Sequence, residues 1–141
     1  MIKNPEPLFE LAKERGIVAF DNLGFPLKDW INQTALNHFH VAYDEVDNIK
    51  QIMACCIVFD FNHPITEKIF DDWVTASLHG GFNNDFTRRD GFRGHRHDQA
   101  VLSLLLHLNK VKLNDYGDGF CYHPNQDKYD NVYIINKGID V

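Results

Sequence analysis

Reactive side chains crowd one stretch of this 141-residue sequence. Between positions 86 and 99 stand Arg88, Arg89, Asp90, Arg93, His95, Arg96, His97, Asp98 and Gln99. Up to His97 the four arginines outweigh the single aspartate, a local excess of +3 in a chain whose formal charge is -6. Guanidinium forks suit phosphate or carboxylate oxygens, and Gly91 and Gly94 let backbone come close to a ligand. Asp98 and Gln99 then open an apolar helix, a place where a carboxylate is held rigidly enough to orient or deprotonate a hydroxyl. Two plainer readings stand beside this one. Aspartate is among the best helix N-caps, and a basic loop can simply be solvated surface.

His95 and His97 alternate beside Asp98, and imidazole with carboxylate is a good ligand pair for zinc and similar ions. His38, His40, His63 and His123 are scattered, however, and complete no clear ligand set, so no metal ligand is assigned. Cys55, Cys56 and Cys121 give neither a disulfide framework nor a zinc spacing. With no basic neighbour in sequence to lower a thiol pKa, they read as small hydrophobes of a reduced, cytoplasmic protein.

The elements that must position these groups follow from apolar spacing. Val101, Leu104, Leu105 and Leu108 recur at i, i+3, i+4, i+7, and Leu102 and Leu106 widen the face, leaving Gln99, Ser103 and His107 as a polar edge. Asn4-Pro5 predicts a helix start, with Asn as cap and a stripe of Leu8, Leu11, Ala12 and Arg15 that Gly16 ends. Residues 17–20 read as a short buried strand and 21–26 as a turn-rich loop. A second helix is expected from 28 to about 38, with Trp30, Ile31, Thr34 and Ala35 on one side. After the acidic stretch Asp44-Glu-Val-Asp47, the strongest strand covers 51–59, and its eight consecutive apolar residues from 52 to 59 suit a strand covered on both faces. A helix over 65–78 groups Ile65, Ile69, Trp73 and Ala76 and stops at Gly80-Gly81. Residues 82–97 read as a long loop, 114–119 as a turn cluster and 131–135 as a last strand. Helices alternating with strands predict one α/β domain over residues 1–141.

Composition bounds the function. With 44% hydrophobic and 13% aromatic residues the chain is of globular type. No apolar run approaches the roughly 20 residues of a membrane span, and the first residues lack a signal-peptide pattern. The negative charge argues against nucleic acid as a partner, since phosphate neutralisation needs a basic surface. Any anion site is therefore local.

An Asp-Gln pair opening a Leu-rich helix, after a turn of Arg, His and Gly, resembles the late motif of GT-A-type glycosyltransferases, members of the nucleotide-diphospho-sugar transferase superfamily. Residues 2–11 resemble the segment that follows the family's Asp-x-Asp motif, 51–59 its acceptor-side strand, and Phe70-Asp-Asp-Trp73 its tryptophan-bearing helix. The likeness covers most of residues 2–108. It implies a partial GT-A, Rossmann-like sheet with covering helices. It also implies sugar transfer from a nucleotide-sugar to a hydroxyl of a glycan or small-molecule acceptor. In that scheme Asp98 acts on the acceptor hydroxyl, Gln99 hydrogen-bonds the donor sugar, Gln51 and Ala54 line the pocket floor, and Arg93, His95, Arg96 and His97 bind substrate.

The family's metal, Mn2+ or Mg2+, sits on an Asp-x-Asp, where it screens charge on the departing diphosphate, typically by several kcal/mol. That motif and its nucleotide-binding half are expected ahead of Met1. Asp115-Tyr-Gly-Asp118 and Asp127-Lys-Tyr-Asp130 differ in spacing and follow no apolar strand. The resemblance is thus to a C-terminal, acceptor-side half, and activity of this chain alone is left open. The alternative is a non-catalytic remnant or accessory module. It would associate with itself or a partner, with a homodimer through an unpaired sheet edge beside 17–20 as the expected form. A metal-dependent hydrolase built on His95, His97 and Asp98 is the least favoured class.

Overall fold

Gly16 separates the first two elements of the computed structural model, which describes residues 4–118, 120–122 and 134–136. Helix α1 spans Glu6–Arg15, one residue later than expected: Pro5 takes the N-cap position, and Asn4 Oδ1 still accepts the Glu6 N–H at 3.1 Å. Gly16 ends the helix at φ 82°, donating its N–H to Ala12 O at 2.7 Å. A Cβ at this position would collide with Ile65, His63 and Thr66, so both the backbone and the packing demand glycine here.

Strand β1 (Ile17–Pro26) and strand β2 (Lys50–Phe59) pair antiparallel. Ile17, Val18 and Ala19 face Phe59, Val58 and Ile57, after which the register jumps to Asp21 opposite Ile52 and Pro26 opposite Lys50. Residues 53–56 therefore bulge out of the ladder, and Ala54 and Cys55 are exposed. The expectation of a strand covered on both faces holds for residues 51–53 and fails beyond them, because the bulge turns apolar side chains to solvent. The turn-rich segment 21–26 belongs to β1. It is a kink in an extended strand, with Leu23 at φ 53° and Gly24 at φ 75°, closed by the Gly24 N–H donating to Asp21 Oδ1 at 2.8 Å.

Alternation along β1 sends its two faces into different clusters. Ile17, Ala19 and Ile52 pack with the helices that follow β2, while Val18, Phe20 and Met53 pack with Leu8 and Ala12 of α1. The architecture is mixed α/β, with helices on both sides of a two-stranded antiparallel sheet. The far side of β1 is covered. The Asp21 N–H donates to Asn114 O at 2.8 Å, the Asn114 N–H donates to Ala19 O at 2.9 Å, and residues 17–20 are at most 1% exposed. Where an unpaired edge was expected beside 17–20, the chain's own Asn114 thus takes the bonds at residues 19 and 21.

Helix α2 covers Gln33–His38 only. Leu27–Asp29 is a separate 3-10 turn, and Asn32, in extended conformation, caps α2 by accepting the Ala35 N–H at 2.9 Å. A second 3-10 turn, Tyr43–Val46, leads into β2. Helix α3 (Pro64–Leu78) is capped by His63 Nδ1, which accepts the Ile65 N–H at 3.2 Å, and helix α4 spans His97–Leu108. Strands β3 (Phe120–Tyr122) and β4 (Ile134–Asn136) pair parallel. The expected last strand, 131–135, meets the described residues at 134 and 135, whereas His123, Asp127 and Asp130 lie outside them. Among the described residues no helix is long and apolar enough to cross a membrane.

Candidate functional site

Residues 100–106 of α4 are all buried, so the start of that helix is held on a fixed support. Its polar edge grips β2. Gln99 Nε2 donates to Ile52 O at 2.6 Å, and the Ile52 N–H donates to Ser103 Oγ at 3.1 Å. The Ser103 hydroxyl in turn donates to Gln99 O at 2.6 Å. Two side chains four residues apart offer one donor and one acceptor on the same helix face, which is what a neighbouring strand would offer Ile52. Gln99 therefore fastens helix to strand. Gln51, next along β2, is fully buried, with its Oε1 3.5 Å from Asn22 Nδ2, while Ala54 lies exposed on the bulge.

Asp98 is the second residue of α4 and is exposed. The helix N-cap is Arg96, which makes no side-chain cap bond, and the Asp98 carboxylate has no hydrogen-bond or ion-pair partner among the described residues. The capping reading of Asp98 thus finds no bond to rest on. Its backbone carbonyl accepts the Trp73 indole N–H at 3.0 Å, tying α3 to the start of α4.

The histidines and arginines around it take separate positions. His95 is buried, receiving the Asn32 N–H on Nδ1 at 3.3 Å and lying 2.8 Å from Gly81 O through Nε2. Burial first, and the neighbouring His97 second among the opposing causes, push its pKa below the usual 6.5, although the carbonyls of Gly81 and Trp30 pull the other way. His97 is exposed at φ 39°, with Nδ1 2.6 Å from Phe82 O. Arg96 lays its guanidinium 4.1 Å from the Trp30 ring centre and 5.9 Å from that of Phe25. Arg93 is exposed and lies 3.6 Å from the Asp29 carboxylate.

Loop 82–96 is pinned by groups that carry no signal in sequence spacing. Arg89 donates through Nη2 to the carbonyls of Lys28 and Ile31, its guanidinium lies 3.9 Å from the Tyr43 ring centre, and burial lowers its pKa. Asp85 receives the Thr34 N–H at 2.9 Å, the Thr34 hydroxyl at 2.8 Å and the Thr87 N–H at 2.8 Å. Burial pushes its pKa up, but the bonds from Thr87 and Thr34 outweigh that and hold it at about 2. Asp85, Thr87, Gln33, Tyr43 and the two arginines at 88 and 89 surround a cavity of about 520 Å³.

No group of three or more His, Cys, Asp or Glu side chains suited to a metal ion assembles among the described residues. Both ring nitrogens of His95 are already engaged. Cys56 is pushed up to about 11 by burial and by Cys55, which leaves it a poor nucleophile. Cys55 is exposed, unlike the buried hydrophobe expected, because it sits on the bulge. No family model, curated protein or solved structure matches the chain.

Proposed function

We propose that this chain is the acceptor-side portion of a GT-A-type, Rossmann-like glycosyltransferase fold. In this reading it takes part in sugar transfer from a nucleotide-sugar to a hydroxyl of a glycan or small-molecule acceptor. One observation carries the reading: the exposed Asp98 carboxylate, without a partner among the described residues, stands on the first turn of a helix in which residues 100–106 are all buried. A group so placed holds its position while a hydroxyl approaches, as proton removal by a general base requires. Asp98 is the catalytic residue of this proposal, and Gln99 is a positioning residue that acts through Ile52. The Arg96–Trp30 pair supplies a cationic, flat surface suited to a sugar or a phosphate. Mn2+ or Mg2+ has no ligand set among the described residues, so no step is assigned to it.

The test is calorimetric titration of the chain with UDP- and GDP-sugars, with and without manganese, followed by a transfer or hydrolysis assay with Asp98→Asn. Binding is expected with the native chain, and the variant is expected to lose about 10²–10⁴-fold in turnover while melting at the native temperature. A variant that unfolds early yet keeps any activity assigns Asp98 to structure instead.

A second reading is a non-catalytic binding module. What favours it is that His95, His97 and Gln99 all make contacts within the protein. Nucleotide-sugar binding that Asp98→Asn leaves intact, with no transfer by the native chain, would decide for that reading. Sedimentation would then report whether it self-associates.

A further inference from the structure

His95 sits where three segments meet: the residue Gly81 beyond α3, the link 30–32 between the first 3-10 turn and α2, and the approach to α4. A main-chain N–H can be given only to a bare ring nitrogen, so Nδ1, which receives the Asn32 N–H at 3.3 Å, carries no hydrogen. Nε2 must then hold the hydrogen that Gly81 O accepts at 2.8 Å. The surroundings select one neutral tautomer. Asn32 has further duties, since its side chain caps α2 and donates to Asn83 O at 2.7 Å, inside the same loop. The Arg96 N–H donates to Trp30 O at 2.9 Å, and so the ring, α2 and loop 82–96 form one connected set.

We propose that His95 is an acid-releasable latch: its neutral ring ties loop 82–96 to α2 and to Gly81, and protonation at Nδ1 breaks the Asn32 bond and undocks the loop. A proton on Nδ1 turns an acceptor into a donor facing another donor, the Asn32 N–H. Trp30 O lies near enough to take part of that new donor, but it already accepts from Arg96. The titratable and charged groups facing the ring are His97, its rings 5.5 Å apart in an edge-to-face pair, and Asp85. His97 disfavours the cation and Asp85 favours it, while burial opposes it most. The unfolded chain takes up this proton near pH 6.5 and the folded chain does so only at lower pH. The latch's stabilisation is therefore whole above about pH 6.5 and is lost as pH falls through the folded value. Helix α4 begins two residues beyond the latch, so release loosens its start whatever chemistry occurs there.

The experiment compares melting of the native chain and His95→Gln from about pH 8 to about pH 5. Glutamine offers a neutral acceptor and donor but does not titrate. The native midpoint is expected to fall by several degrees more than the variant's across this range, and the Asn32 amide to lose exchange protection in acid after correction for intrinsic rates. Equal slopes in both proteins would place the effect on another histidine and overturn the latch. Should His95→Gln not fold, ring 15N shifts of native His95 decide the matter. An unprotonated Nδ1, titrating below the exposed histidines, upholds it, and an Nδ1–H tautomer or an ordinary titration refutes it.

Discussion

Ser103 and Gln99 illustrate how much a single polar atom governs when it faces a buried strand edge. Ile52 is fully buried, so its N–H and C=O have no water to turn to, and Ser103 Oγ and Gln99 Nε2 answer them. Ser103→Ala leaves the Ile52 N–H orphaned and is expected to cost about 1–3 kcal/mol in urea unfolding. Gln99→Glu, which sets a carboxylate against a carbonyl, is expected to cost more than the serine change. A pair of neutral results would mean that Ile52 finds other partners. From the sequence, the polar edge of Gln99, Ser103 and His107 is visible by helical spacing alone, but the identity of what it meets is not. Spacing tells which side chains share a face and says nothing about a strand 47 positions away.

At the level of elements, the junctions carry most of the specificity. Gly16 links α1 to β1 at φ 82° with Ile65, His63 and Thr66 pressed against it. Gly16→Ala is expected to destabilise by roughly 1–3 kcal/mol, from strain plus displacement of the α3 start, read as an earlier denaturant midpoint at unchanged slope. A neutral Gly16→Ala would refute this tight junction. The helix ends were legible where a glycine punctuates the chain, as at Gly16. They were misjudged where capping is tertiary. The helix expected from 28 begins at Gln33, because Asn32 and, across the loop, Asp85 and Thr87 satisfy the first amides of α2. The bulge at 53–56 was equally hidden, since an unbroken apolar run has no mark at the position where the ladder slips.

For the molecule as a whole, acid stability reports the tie between loop 82–96 and α2. Asp85 has a folded pKa of about 2 against 3.8 in the free side chain, so its contribution is complete above about pH 3.8 and is lost as pH falls towards 2. Asp85→Asn is expected to flatten the stability profile in that window, measured by denaturant midpoints at stepped pH. A native-like profile in the variant would show that the carboxylate is no such tie. Sequence alone settled the local matters: a leucine-rich helix at α4, a helix start within one residue of that expected at Asn4-Pro5, a buried strand at 17–20 and a carboxylate at the head of α4, although α4 is buried all round over 100–106 and Leu108 of its expected apolar face is exposed. These depend on side-chain periodicity and backbone stereochemistry within a few residues. Tertiary structure alone decided that Asn114 bonds to the edge of β1, that Gln99 serves Ile52, and that His95 joins Asn32 to Gly81 while the Asp98 carboxylate meets no partner among the described residues. Each of those outcomes depends on which unsatisfied buried group lies nearest in space, and only the packed chain determines that distance.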